Sequence, residues 1–445
     1  MSEATTTDPA AGGSVITLPR GGGAVGGLGE TFSPDPFTGT GNLSVPIEVP
    51  VGRSGLQPRL ALAYSTGSPN GPFGLGWQLS VPGVARKTSH GVPRYVDDPV
   101  AERADVFLLS GAEDLVPVAG GYPGRVTYRP RTEGLFARVE HVRDATGDYW
   151  EVRGRDGLRH RYGTPRPAGA APDWRDPAVV ADPADAGRVF AWRITETRDP
   201  VGNLIAYAYR RDRGDEPGHR WDQPLLARIS YADYGDPADP RFLVAVDLEY
   251  EPRPDPFSEH RAGFEVRTTL RCRTIRVTSH AADGVARLSR EYRLDYAQAA
   301  FNGVSLLASV TATGIDDTAG APATEQLPPL TFGYTGFDPA GRRFRPVTGP
   351  ALPLDPLTDP SVALVDLRGA GLPDLVELGA RQRYWRNTGG GRFAAPRPLD
   401  EAPPAALGGA GCACWTPTGT AGRTCWCRPA SRAGPGRRRR PATSR

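Results

Sequence analysis

Short apolar or alternating runs, each closed off by Gly, Pro, Asn or Asp, follow one another along this chain, and that pattern constrains its fold more than any other feature. The runs are Leu43–Val51, Leu60–Tyr64, Trp77–Val81, Val106–Leu109, Tyr149–Val152, Phe190–Thr195, Leu204–Tyr209, Leu243–Tyr250, Thr274–Thr278 and Tyr292–Tyr296. They are rich in β-branched and aromatic residues, whose side chains pack well on a pleated surface, and the residues between them suit tight turns. A capped, 3.6-residue periodicity is nowhere evident, so the expected fold class is all-β. The 55 Gly and 46 Pro, nearly a quarter of 445 residues, then read as turns. They do not read as disorder, because 39% of the chain is still hydrophobic.

Two hairpins are legible at single-residue level. Asp199-Pro200-Val201-Gly202-Asn203 joins the runs at Phe190–Thr195 and Leu204–Tyr209, supplying a fixed φ, a residue free to take positive φ and an Asx cap. Asn302-Gly303 serves the same purpose between Tyr292–Tyr296 and Val304–Thr311. Breaks in the series at Pro165–Gly187 and Gly314–Pro329 read as a surface excursion and the approach to a domain boundary.

Charge and chemistry narrow the function classes. The net charge is +3, but residues 412–445 hold eight Arg and no acid, so the body is mildly acidic and nucleic acid is not an expected partner. Arg59, Arg86, Arg94, Arg271, Arg273 and Arg276 are interleaved with acids and turns, and read as solvated faces. No window suits a membrane span, and the start MSEATTTDPA lacks the basic and apolar regions of a signal peptide. The six histidines, His90, His141, His160, His219, His260 and His280, show no zinc-ligand spacing, and no Gly-x-Ser-x-Gly elbow is present. Cys272 stands in an Arg-rich strand without an obvious His partner. The Gly-rich Arg20–Gly29 stretch lacks a P-loop ending and a following helix. No catalytic residue and no cofactor are expected, and the chain reads as a non-enzyme.

The most specific residues are Leu18-Pro19-Arg20-Gly21-Gly22-Gly23, Gly39-Thr40-Gly41-Asn42-Leu43-Ser44-Val45-Pro46-Ile47 and Gly71-Pro72-Phe73-Gly74-Leu75-Gly76-Trp77. Arg86-Lys87-Thr88, Gly91-Val92-Pro93-Arg94-Tyr95 and the run from Asp105 to Pro117 follow in order. Physically, Gly74 and Gly76 permit a close strand approach that Phe73 and Trp77 anchor. The set resembles the SpvB-type N-terminal domain of the virulence plasmid B protein family, as in the B component of insecticidal toxin complexes, from about Ser14 to Phe344. That resemblance implies a Rhs/YD-repeat-like β-shell or sandwich that encloses a toxic polypeptide, with toxin complex A and C components as protein partners. It also implies work outside the cell that makes it, reached without a visible signal peptide. In the SpvB branch a similar domain precedes an ADP-ribosyltransferase. The Glu-x-Glu here, Glu249-Tyr250-Glu251, sits in a strand next to Pro252 and reads as two solvated strand residues.

From Val362 the pattern changes to Val362-Ala363-Leu364-Val365-Asp366-Leu367-Arg368-Gly369-Ala370-Gly371-Leu372-Pro373-Asp374, followed by Tyr384-Trp385 and Asn387-Thr388-Gly389-Gly390-Gly391-Arg392-Phe393. It resembles an FG-GAP/VCBS-like repeat, one blade of an integrin-like β-propeller, in which alternate carboxylates cage calcium. Asp366 and Asp374 hold the first and ninth loop positions, but Arg368 and Ala370 replace the third and fifth, so the metal loop is degenerate. An intact set of such loops would instead suit a calcium-dependent adhesin. The expected organisation is a disordered arm at 1–13, the β-shell domain at 14–345, a partial propeller at 346–411 and an Arg/Pro-rich tail at 412–445. Cys412-Ala413-Cys414 and Cys425-Trp426-Cys427 imitate a zinc site. With G or C at third codon positions, however, the frame one base earlier encodes a full Asp-x-Asp-x-Asp-Gly-x-x-Asp loop, beginning 50 residues after Asp366, so the tail reads as out of frame. Phe73, Gly74, Gly76, Trp77, Phe107, Asp114 and Trp385 are the residues expected to carry the structure.

Overall fold

The computed structural model describes residues 28–399, apart from 36–38, 90, 97–103, 111–112, 119–123, 135, 172, 281–284, 317–322, 368–370 and 380, and two strand pieces at Cys412–Ala413 and Trp426–Cys427. The arm at 1–13, the Leu18–Gly23 motif, His90, Arg368, Ala370 and most of the 412–445 tail lie outside the described residues. Among those described, strands dominate and no α-helix occurs; the one helical element is a 3-10 turn at Arg53–Gly55. No helix is long and apolar enough to cross a membrane.

The chain divides into two units, residues 1–337 and 338–445. In the first, β1 (Thr31–Asp35), β2 (Thr40–Ile47), β3 (Leu60–Ser65) and β4 (Trp77–Leu79) form a small antiparallel sheet. Nine short strands follow: β5 (Gly83–Arg86), β6 (Phe107–Leu109), β7 (Glu113–Pro117), β8 (Arg125–Pro130), β9 (Arg138–Asp144), β10 (Gly147–Arg153), β11 (Arg159–Tyr162), β12 (Val179–Ala181) and β13 (Val189–Arg198). Strands β5 to β11 pair in sequence. Strand β13 closes the ring, taking β5 along Ala191–Arg193 and β11 along Ile194–Arg198. The excursion expected at Pro165–Gly187 contains β12, whose Val179 and Val180 are buried. The backbone pairs this stretch with β13, an ordered strand that its Pro and Gly content had masked.

Long strands continue from β13 as a meander: β14 (Leu204–Glu216), β15 (His219–Asp236), β16 (Asp239–Glu259), β17 (Val266–His280), β18 (Ala286–Gln298) and β19 (Ser305–Asp316), edged by β20 (Ala323–Gln326) and β21 (Leu330–Thr331). All ten sequence runs overlap strands, and β14, β16, β17 and β18 extend well past theirs. Polar residues such as Arg210–Glu216 hold the ladder without any apolar alternation. The Asp199–Asn203 turn forms as read: Asp199 Oδ1 accepts from the Val201 and Asn203 N–H groups, and Gly202 takes φ +98°.

Two cores result. Val45, Ile47, Leu60, Leu62, Phe73 and Trp77 of the small sheet bury against one face of the meander, including Ile229, Val246, Cys272, Ile275 and Leu307. The ring is filled by Phe107, Leu115, Tyr128, Trp150, Trp192 and their neighbours. The second unit is a four-stranded antiparallel sheet of β22 (Val362–Val365), β23 (Asp374–Leu378), β24 (Gln382–Gly389) and β25 (Arg392–Pro398) around a buried Trp385. The Trp385 indole donates to the Pro350 and Ala351 carbonyls.

Candidate functional site

The Gly-Pro-Phe-Gly-Leu-Gly-Trp stretch is a clasp between the small sheet and the meander. Pro72 O accepts from Cys272 N–H at 2.7 Å, and Leu75 N–H donates to Ser305 O at 2.9 Å. Gly74 has φ +88°, and a Cβ there would lie 3.0 Å from Ser305 O; at Gly76, φ +81°, it would strike the Tyr64 ring. Only glycine satisfies both the dihedral and the spacing. Trp77 is 2% exposed, lies against Tyr64 and Phe332, and donates its indole N–H to Tyr334 Oη at 2.7 Å. Tyr334 Oη passes the chain on to Leu307 O at 2.8 Å.

Sequence reasoning missed the residue set that fastens this clasp. The Arg253 side chain is fully buried; it donates to Gly71 O and Asn70 Oδ1 and pairs with Asp255 at 2.9 Å. Asp255 also accepts from the Ser305 N–H at 2.7 Å. Burial works to raise the Asp255 pKa, but its hydrogen bonds from Arg253 and Ser305 outweigh that and hold it at about 2. The available signal was Arg253-Pro254-Asp255-Pro256, because two prolines inside an alternating run force a break in the ladder. The β16–β17 register does shift there, between Pro252 and Phe257.

In the ring, His141 stacks on Trp150 with ring centroids 4.1 Å apart, and its Nε2 lies 2.8 Å from Asp148 Oδ1. Asp148 Oδ1 also accepts from the Trp192 indole at 3.0 Å, and Phe107 meets Trp150 edge to face. Arg86, expected on a solvated face, is instead fully buried: it donates to Val189 O, pairs with Asp105 at 2.9 Å and lies over the Tyr95 and Phe107 rings. Its neighbours in sequence gave no hint, because the compensating carboxylate comes from 19 residues away. Lys87, the single lysine, pairs with Asp114 at 2.7 Å. Asp176 accepts from the Thr164 and Ala178 N–H groups, yet burial pushes its pKa up to about 6.

Arg276 lies on a part-exposed face, as expected, but as a member of a cross-strand ladder, whereas Arg271 is mostly buried and donates to Ser305 Oγ beside the clasp. Arg228, Asp247, Arg276 and Glu291 are Cα partners in a single row across β15 to β18. Arg228 pairs with Asp247 at 2.6 Å, and Arg276 with Glu249 at 2.5 Å and Glu291 at 2.8 Å. Arg271 takes Glu251 at 2.8 Å, so both acids of the Glu249-Tyr250-Glu251 triplet are held by arginines, while Tyr250 Oη turns to Leu226 O. Cys272 is fully buried and its thiol pKa is pushed up by that burial.

In the second unit, Asp366 Oδ2 accepts from Gly371 N–H at 2.8 Å, and the fully buried Asp374 accepts from Asn387 N–H at 2.8 Å. Asp366 thereby closes its own loop, and Asp374 ties β23 to β24. A donor set of two such groups does not fit a calcium ion, which takes six to eight oxygens. Among the described residues no three His, Cys, Asp or Glu side chains gather as a metal site.

Residues 35–229 and 230–280 match the family described as Salmonella virulence plasmid 65kDa B protein. The mono(ADP-ribosyl)transferase SpvB of Salmonella typhimurium is 30% identical over 341 residues, covering 62% of this chain and 54% of that protein. The chain thus spans about half the length of the curated relatives it matches. The crystal structure of TcdB2-TccC3 superposes with a TM-score of 0.64 at 26% identity, over 87% of this chain and 21% of that one. The N-terminal domain of effector protein SpvB from Salmonella typhimurium strain LT2 gives a TM-score of 0.52 at 26% identity, over 61% of this chain and 99% of that one.

Proposed function

The chain belongs to the Salmonella virulence plasmid 65kDa B protein family, and from that premise we propose that it is a non-catalytic wall segment of a toxin complex B component. In this reading the small sheet, ring and meander form part of a β-shell that encloses and delivers a toxic polypeptide, in assembly with A and C components. The second unit is the first blade of a partner-docking propeller. The protein does its work outside the producing cell.

One observation carries the reading. The TcdB2-TccC3 likeness covers 87% of the chain, more than the 337 residues of the first unit could supply, whereas the SpvB N-terminal domain covers 61%. The resemblance to a toxin complex therefore extends into the second unit, beyond what the chain shares with the SpvB effector domain. The local chemistry supports a mechanical role: Glu249, Glu251, Asp255 and Asp148 are each engaged in holding strands together. The four-stranded second unit supports the blade reading.

The test is co-expression of the full gene product with its C component, followed by size-exclusion chromatography and single-particle imaging. A closed shell that shields the C-component cargo from protease is expected. Failure to associate would refute the assignment. Transfer of labelled ADP-ribose from NAD to any acceptor by this chain would favour the transferase branch of the family instead.

A further inference from the structure

A cavity of about 260 Å³ lies between the 68–82 segment and strands β13 to β16. Its size is just under the roughly 300–1,000 Å³ of small-molecule sites, enough for one side-chain-sized group and more than a bare anion needs. Most of the lining is chemically satisfied. Pro72 and Pro224 carry no N–H, Tyr209 Oη already donates to Ile194 O at 2.7 Å, and Tyr250 Oη is spent on Leu226 O. The Trp77 indole N–H is committed to Tyr334.

Arg193 is the charged side chain of that lining. Its backbone is used in full, N–H to Ala178 O and carbonyl from Gly163 N–H, each at 2.8 Å. Its guanidinium makes no hydrogen bond or ion pair among the described residues, although Arg86 and Arg253, both with fully buried side chains, each face a carboxylate at 2.9 Å. Arg193 keeps some exposed surface, yet it lies deep enough for desolvation to lower its pKa, with Tyr209 and Glu259 as the titratable groups that act on it. A planar fork of five donors that opens on a cavity and has no protein acceptor is placed to take an anion there in exchange for water.

We infer that this cavity binds a carboxylate carried on an apolar stem, the acidic side chain of an extended peptide, with Arg193 as its bidentate clamp and Trp77 and Tyr209 as walls for the stem. The carboxylate geometry matches the fork, and the aromatic and proline walls match a methylene chain. The inference concerns the first unit alone and does not depend on the shell reading.

The full chain is to be titrated calorimetrically with acetyl-glutamate amide, acetyl-glutamine amide, acetate and inorganic phosphate. The glutamate probe is expected to bind at least about tenfold more tightly than the glutamine probe, because a charge-assisted pair replaces a neutral one. Acetate and phosphate, lacking the stem, should bind more weakly than the glutamate probe. Arg193→Met should abolish the preference and leave folding intact, since it removes an unpaired cation, while Arg193→Lys should keep a reduced one. Equal affinity for glutamate and glutamine probes would overturn the inference, as would a preference that survives Arg193→Met or tighter binding of free phosphate. Should Arg193→Met fail to fold, mass spectrometry of phenylglyoxal-treated native chain decides: the glutamate probe must protect Arg193 and the glutamine probe must not.

Discussion

The closed ring and the long-stranded meander share β13, yet they bury their residues in different ways. Ring strands are short, three residues in β6 and seven in β9 and β10, and their inward side chains converge from every side. A closed ring of eight strands leaves an interior that side chains alone must fill, and Phe107, Tyr128, His141, Trp150 and Trp192 fill it, His141 stacked on Trp150 and Phe107 and Trp192 meeting Trp150 edge to face. The meander strands run to 18 and 21 residues in β15 and β16, and an open sheet of that length has two faces to cover. One face is roofed by the small sheet through aliphatic contacts and tyrosine hydroxyls, such as Tyr231 Oη to Pro50 O at 2.6 Å and Glu48 N–H to Tyr292 Oη at 2.9 Å. The other carries the arginine–carboxylate ladder. Closure removes the need for a roof, whereas an open sheet needs both a roof and a charged outer face that discourages pairing with other sheets.

That contrast can be broken by experiment. Trp150→Ala should cost about 3–5 kcal/mol, because four rings lean on that side chain. Hydrogen exchange should then accelerate from β5 to β13 more than from β15 to β18. Trp77→Ala should cost a similar amount with the opposite distribution, and uniform acceleration in both variants would mean the two cores unfold as one.

Asp255→Asn should cost about 1.5–3 kcal/mol at neutral pH, the worth of hydrogen bonds to a charged group, and should loosen the clasp first. The folded-state pKa of Asp255 is held at about 2, below its ordinary value, so the stability it supplies is present above about pH 4 and is lost as pH falls towards 2. Asp176, near the ring, has the opposite sign. Its folded pKa is raised to about 6, so stability falls as pH rises from about 4 to 6, by about 1–2 kcal/mol. Urea titrations across that range should show the slope in the parent chain and its loss in Asp176→Asn; a slope unchanged by the substitution would refute the burial argument. Smallest of all, Arg276→Gln should cost about 0.5–1 kcal/mol, and the loss should shrink in high salt, because the ladder is partly exposed. A salt-independent loss would mark the ladder as packing and not as electrostatics.

How far the candidate site was legible follows the same division. Trp77 and its glycines were readable because a local motif, Gly-x-Gly-Trp after Gly-Pro-Phe, states a close approach in consecutive residues. Arg253 and Asp255 were not, since Ser305, which fixes them, lies 50 residues on. Arg193 carried no signal at all: an arginine in an alternating strand looks the same whether it faces water or a cavity. Asp366 and Asp374 were legible as a loop, and the structure adds that each carboxylate answers a backbone N–H.

The sequence by itself determined the strand-and-turn character, the positions of the hairpin at Asp199–Asn203 and the anchoring roles of Phe73, Trp77, Phe107 and Trp385, because alternation, turn chemistry and large apolar side chains act over a few residues. Only the tertiary structure decided which strands close into a ring and which stay open, that Arg86 is buried and paired, and that Arg193 is left facing a cavity. Those outcomes depend on partners brought together across tens to hundreds of residues, and no local pattern encodes the burial that gives them their energy.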